Sequence, residues 1–325
     1  MSKKIALCFI ISYEHILYKE TIWKEWIEPN KDIINVYFFY SDLKKIRSQW
    51  IYEHTIPQKY IRHTSYYHVI PAYLSILNFA LMHDKKNTWF CYLTDSCCPI
   101  ISPKKFRDLF EKNYNKSVMK HARAHWNIKF HKRANLALIP KEYHLANEPW
   151  FVLTREHAID CINFALNENN LCNLICQGGL ANESLFAIIL MHYKKIINVI
   201  SEVTHITDWV RMSSPTSPHM FKEGNELDIS FIKDNLDKNN YAMFIRKVHP
   251  SFPDEILREF IYKNGNEDNE DNKDNEDNKD NENNRYMFNT YFSRNIVYIK
   301  NLTPFFIGFF IGILFLYVEI QYFLQ

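Results

Sequence analysis

Three short runs of nearly unbroken apolar, β-prone residues constrain this chain most: Ile5-Ala-Leu-Cys-Phe-Ile-Ile11, Asn35-Val-Tyr-Phe-Phe-Tyr40 and Trp89-Phe-Cys-Tyr-Leu93. A strand with one face in water alternates polar and apolar residues, whereas one covered on both faces does not. Between the runs lie helical patterns such as residues 69–82. Strands alternating with helices predict an α/β fold with a mainly parallel sheet covered on both sides. Ligands of such sheets bind beyond the carboxyl ends of the strands, where the polar loops of this chain fall. Lys3-Lys4 ahead of the first run could open a signal peptide. The apolar run is short for one, however, and no small-residue cleavage site follows, so a buried first strand fits better.

Composition removes several function classes. A net charge of +2 supplies no global field for nucleic acid. With six glycines and no G-x-G-x-x-G or G-x-x-x-x-G-K-[ST], dinucleotide and P-loop sites are poorly supported. Seven cysteines include Cys172-x-x-x-Cys176 but no second matching pair, which predicts buried, reduced thiols rather than a metal site.

Residues 1–262 carry the strand and helix patterns. Residues 263–285 hold an Asp/Asn/Glu/Lys repeat without apolar side chains, which cannot offset its ordering entropy and reads as a solvated linker. A juxtamembrane segment, 286–301, precedes an apolar run at 302–324 whose single charge is Glu319; its length predicts a transmembrane helix. Arg285, Arg294 and Lys300 flank the N-terminal side of that run, so the positive-inside rule places the large domain in the cytosol.

Several segments can carry chemistry. In Leu93-Thr-Asp-Ser-Cys-Cys-Pro-Ile100, Asp95 leaves a buried strand and either accepts hydrogen bonds from a sugar or nucleotide or caps the next turn. In Glu148-Pro-Trp-Phe-Val-Leu-Thr-Arg-Glu-His-Ala158, Trp150 and Phe151 either stack on a pyranose or belong to the core. Thr154 there is a candidate N-cap. Gly178-Gly179 breaks the chain before a helix expected from Asn182 through Tyr193, with Glu183 in its first turn. Arg246-Lys247 is either a solvated pair or a diphosphate clamp. The basic-aromatic stretch from Lys120 to Arg133 is either a solvated loop or a recruiter of an acidic acceptor, and it is the sole support for a nucleic-acid reading. No Asp-x-Asp triplet, the usual metal holder of nucleotide-sugar transferases, occurs anywhere.

Taken in order, these segments resemble the core-2/I-branching N-acetylglucosaminyltransferase family, which includes xylosyltransferases. The resemblance runs from Lys4 to about Pro250: Leu93–Ile100 is similar to that family's Ser-Glu-Ser-Cys-x-Pro-Leu, and Trp150–His157 to its aromatic-Phe-Val-Val-Ser-Arg-Glu. Asn182-Glu183 stands where Asp-Glu is usual, and Phe244-Ile-Arg-Lys247 where Phe-Ala-Arg-Lys or Phe-Ala-Asn-Lys is usual. The resemblance implies a GT-A-type, Rossmann-like glycosyltransferase domain that works without metal or other cofactor. It further implies a UDP-sugar donor, UDP-N-acetylglucosamine or UDP-xylose, and a glycan or protein acceptor, with inversion at the anomeric carbon. Glu183 becomes the base, Lys247 the diphosphate cation, with Arg246 beside it matching some members only. Asp95 falls on the donor side, and Trp150, Phe151, Trp209 and Arg133 become sugar contacts. Asn182 in place of aspartate keeps open a catalytically silent carbohydrate-binding or membrane scaffold protein on the same fold. Animal members are lumenal with an N-terminal anchor, unlike the arrangement expected here. A sequon at Asn182, beside the base, also fits a protein that never meets the glycosylation machinery.

Overall fold

A computed structural model describes residues 3–11 and 16–263, all within the first of two units, Met1–Asp271 and Asn272–Gln325. The expected linker, juxtamembrane segment and membrane helix lie outside the described residues. No helix among the described residues is long and apolar enough to cross a membrane.

The strands are β1 (Lys4–Ile11), β2 (Ile34–Tyr40), β3 (Asn87–Thr94), β4 (Cys98–Pro99), β5 (His121–Arg123), β6 (Leu145–Asn147), β7 (Val152–Thr154), β8 (His205–Thr207) and β9 (Phe244–Arg246). The helices are α1 (Glu20–Ile27), α2 (Gln49–Glu53), α3 (Ile70–His83), α4 (Pro103–Asn113), α5 (Arg155–Asn167), α6 (Asn169–Gln177), α7 (Leu185–His192), α8 (Glu226–Lys238) and α9 (Asp254–Arg258). The main sheet has the order β2-β1-β3-β7. The first three strands run parallel, Ile5 pairing with Ile34 and with Trp89, while β7 is antiparallel to β3. The three apolar runs thus form the parallel sheet their pattern predicts.

Alternation along β1 divides the core. Ile5, Leu7, Phe9 and Ile11 join Trp23 and Trp26 of α1 and Phe106 and Phe110 of α4 on one side. Ala6, Cys8 and Ile10 face α3, α5 and α7 on the other. Burying tryptophan requires a partner for its N–H; Trp23 Nε1 donates to the Cys97 carbonyl (3.0 Å) and Trp26 Nε1 to that of Ile101 (2.8 Å). These bonds fix the loop after β3 against α1. Six of the seven cysteines are buried and Cys176 partly so.

Two connections position the functional loops. Strand β9 pairs with β4 and with β8, and the Val248 N–H donates to the Ser96 carbonyl (2.9 Å), so the segment after β3 runs beside Arg246-Lys247. Thr154 caps α5 through the His157 N–H (3.2 Å), as its position predicts. The next residue, Arg155, caps the end of α3 by donating to the Leu81 carbonyl (2.9 Å). Arg155 therefore has a structural task, binding α5 to α3.

Candidate active site

Glu183 ends a short 3₁₀ helix, Ala181–Glu183, and does not lie in an α-helix. Ser184 leaves helical geometry at φ −147°, and α7 starts only at Leu185. The expected helix start at Asn182 is corrected accordingly, and Glu183 draws no support from a first-turn position. What holds the turn is Asn147 on β6: its Nδ2 donates to the Asn182 carbonyl (2.9 Å) and its Oδ1 accepts from the Ala187 N–H (3.1 Å). The Asn182 side chain is itself buried.

Arg133 meets Glu183 across this turn, with Nη1 3.1 Å from Oε2 and both side chains about one-third exposed. The glycine pair explains that meeting. A Cβ on Gly178 would lie 2.3 Å from the Asn135 nitrogen and 2.6 Å from the Ala134 carbonyl carbon. Glycine alone lets the backbones touch, and the Ala134 N–H then donates to the Gly179 carbonyl (3.0 Å). The Arg133 guanidinium also covers Trp126, 5.2 Å from its ring centre. Burial raises the Glu183 carboxyl above the ordinary glutamate value; Glu148 raises it further, while Arg133 and Arg246 oppose the rise.

Cations occupy the other side. Arg246, on β9, is 8 % exposed, and its guanidinium packs over the Trp150 ring at 4.4 Å. Its Nε is buried without a hydrogen-bond acceptor among the described residues, as is Trp150 Nε1, and His205 Nε2 is buried without a partner. His205 packs 5.0 Å from Phe244 and 6.1 Å from Trp150. Burial, then the Arg246 charge, pushes its imidazole well below its usual value. Buried charges are normally paired, so a buried guanidinium with an unpaired Nε beside the unpaired Trp150 indole N–H marks a place for an anionic or oxygen-rich ligand. Lys247 donates to Ser217 Oγ (2.8 Å); burial and the Arg246 charge lower its ammonium, with Asp95 opposing. Ser217 sits on a loop braced by Arg211, whose Nε lies 2.5 Å from Asp208 Oδ2 and Nη1 2.9 Å from Asp228 Oδ1.

The structure thus brings Glu183, Arg133, Trp150, Arg246, Lys247 and Asp95 within one electrostatic neighbourhood. Phe151 is corrected: its ring is fully buried against Tyr92 and Phe186 at 4.9 and 4.6 Å, leaving no face for a sugar. The half-buried Trp150 ring carries the Arg246 guanidinium. Trp209 is 40 % exposed on the braced loop and retains an open surface. Sequence reasoning missed Glu148, whose carboxyl burial raises while Arg246 and Lys120 oppose. It also missed His205 and Asn147. Nothing local in the sequence separates Asn147 and Glu148 from surface polar residues.

A family model described as Branch: Core-2/I-Branching enzyme matches residues 34–234. The matched segment holds Asp95, Arg133, Trp150, Glu183 and Trp209 and ends before Arg246 and Lys247. No curated protein matches the chain.

Proposed function

The chain belongs to the core-2/I-branching enzyme family and is therefore a glycosyltransferase; from that premise we propose an inverting transfer from a UDP-sugar, UDP-N-acetylglucosamine or UDP-xylose, to a glycan or protein hydroxyl. Glu183 removes the acceptor proton as the oxygen attacks the anomeric carbon. The bond to the diphosphate breaks on the opposite face, and Arg246 and Lys247 stabilise the charge gathering on the leaving UDP. Holding donor and acceptor in line supplies the rest of the acceleration. Asp95, beside Lys247, orients that ammonium on the donor side. Two fixed cations perform the task of a divalent metal, so the reaction needs none. A GT-A-type reading suits the parallel β2-β1-β3 core with its donor loop after β3. A C-terminal membrane anchor with the domain in the cytosol completes the proposal, supported by the basic residues ahead of the apolar run.

The observation that carries the reading is Arg246: nine-tenths buried, its Nε unpaired among the described residues, and within the field of Glu183. A charge kept dry with an unused donor costs stability unless a ligand uses it. The silent-scaffold reading rested on Asn182, but Asn182 is buried and its carbonyl is held by Asn147, a role independent of the base. The test is UDP affinity of the full chain in EDTA. Lys247→Ala and Arg246→Gln are each expected to weaken UDP binding on the order of tenfold to hundredfold. Unchanged affinity in both variants removes the clamp. A folded wild-type chain that neither binds UDP nor releases it from any UDP-sugar supports the silent protein instead.

A further inference from the structure

One side chain away from Glu183 lies a cleft that the transfer chemistry leaves unused. It has a volume of about 380 Å³ and is lined by Arg123, Trp126, Lys141 and His144, together with two aliphatic residues. That is room for a small ligand. Its wall and the catalytic turn share a component, because Arg133 contacts both Trp126 and Glu183.

The cleft is preformed and positive. Strands β5 and β6 pair Arg123 with Leu145. The Arg123 Nη1 donates to the carbonyls of Lys141 (2.9 Å) and Glu142 (3.1 Å), fixing the guanidinium while its other nitrogens stay uncommitted among the described residues. Among the described residues no carboxylate lines the cleft; Glu142 gives Arg123 only its backbone oxygen. Arg123, Lys129, Lys132 and Lys141 form no ion pair among the described residues. Trp126 Nε1 is buried without an acceptor among the described residues, a donor that a bound oxygen would satisfy. A net charge of only +2 over the chain makes this concentration local, so it selects a ligand beside Glu183 rather than a polyanion across the surface.

We infer that this cleft binds an acidic sugar of the acceptor, a residue bearing a carboxylate or sulfate next to the one that receives the transferred sugar. A guanidinium held by one nitrogen and an adjacent ammonium suit such an anion, and an indole suits its ring. This rests on the transferase reading for the word acceptor, but the binding itself does not.

The experiment measures binding of three tetrasaccharides to the full chain by calorimetry, without donor: hyaluronan (carboxylate), chondroitin sulfate (sulfate and carboxylate) and chitotetraose (neutral). At least one acidic sugar is expected to bind roughly tenfold tighter than chitotetraose at low salt, with the margin shrinking as salt rises. The double variant Arg123→Gln/Lys141→Gln, at two exposed positions, should bring acidic and neutral sugars to parity while leaving UDP affinity unchanged. The two acidic arms show whether sulfate adds to carboxylate. Equal affinity for neutral and acidic sugars, a preference that survives the double variant, or no binding of either acidic sugar overturns the inference. Acidic binding in a wild-type chain that does not bind UDP upholds the cleft and counts against the proposed donor site; UDP binding with equal affinity for acidic and neutral sugars sinks the cleft alone.

Discussion

Glu183, the proposed base, has its strength set by burial and by neighbours of both signs. Burial and the Glu148 charge disfavour its ionised form, and Arg133 and Arg246 favour it. A base must be deprotonated to act, so activity should fall as pH drops through its raised value. Replacing Glu148 by Gln removes a like charge, lowers the Glu183 value and moves the acidic limb of the rate profile to lower pH. Arg133→Gln removes an opposite charge and moves that limb to higher pH. Shifts of the same sign in the two variants, read from pH–rate profiles, would contradict this pairing. Phe151 illustrates the other outcome at this scale. A flat ring beside a polar segment suits a sugar, yet burial among Tyr73, Tyr92 and Phe186 assigns it to the core. Pattern cannot separate those fates, because the same ring is apolar in both.

Short elements do most of the positioning. The crossing of Gly178 over Ala134 and Asn135 seats Arg133 against the base. Gly178→Ala pushes a methyl into that backbone and should destabilise the protein by about 1–3 kcal/mol, read as a lower Tm. It should also displace Arg133 and shift the rate profile in the direction of Arg133→Gln; a Tm and profile equal to wild type would show that the contact is not needed. The loop carrying Ser217 is held by a buried acid–base network, Asp208, Arg211, Asp228 and His219. Asp208→Asn leaves Arg211 half-paired and, by loosening the support of Lys247, should weaken UDP binding along with stability. Retained UDP affinity would place the loop outside the donor site. Elements with a strong repeat, such as β1, β2, β3, α3 and the Thr154-capped α5, were legible because period and capping are local properties. The 3₁₀ turn at Ala181–Glu183 was not, since Asn147 imposes it from 35 residues away, and a capping pattern read locally favours a helix there.

For the whole molecule, the sequence conveyed the α/β class, the buried parallel strands and the order of the motifs, because these follow from patterning along the chain. What it could not convey was convergence. Arg246 and Glu183 lie far apart in sequence, and Arg246 becomes informative only once its burial and unpaired Nε are known. The proposed metal independence belongs to this scale too, since it depends on the cations replacing an ion rather than accompanying one. Transfer should proceed undiminished in EDTA, and loss of activity restored by a divalent ion would overturn that part of the account. The central claim, that Glu183 takes the acceptor proton in a site whose donor end is Arg246 and Lys247, is tested most directly by one comparison. UDP release from a panel of UDP-sugars, with acceptor present, is measured for the full chain and for Glu183→Gln, with UDP affinity scored in the same samples. The account predicts release from one donor that falls on the order of a hundredfold or more in the variant while UDP affinity is kept. Release at the wild-type rate by Glu183→Gln would remove Glu183 from the mechanism.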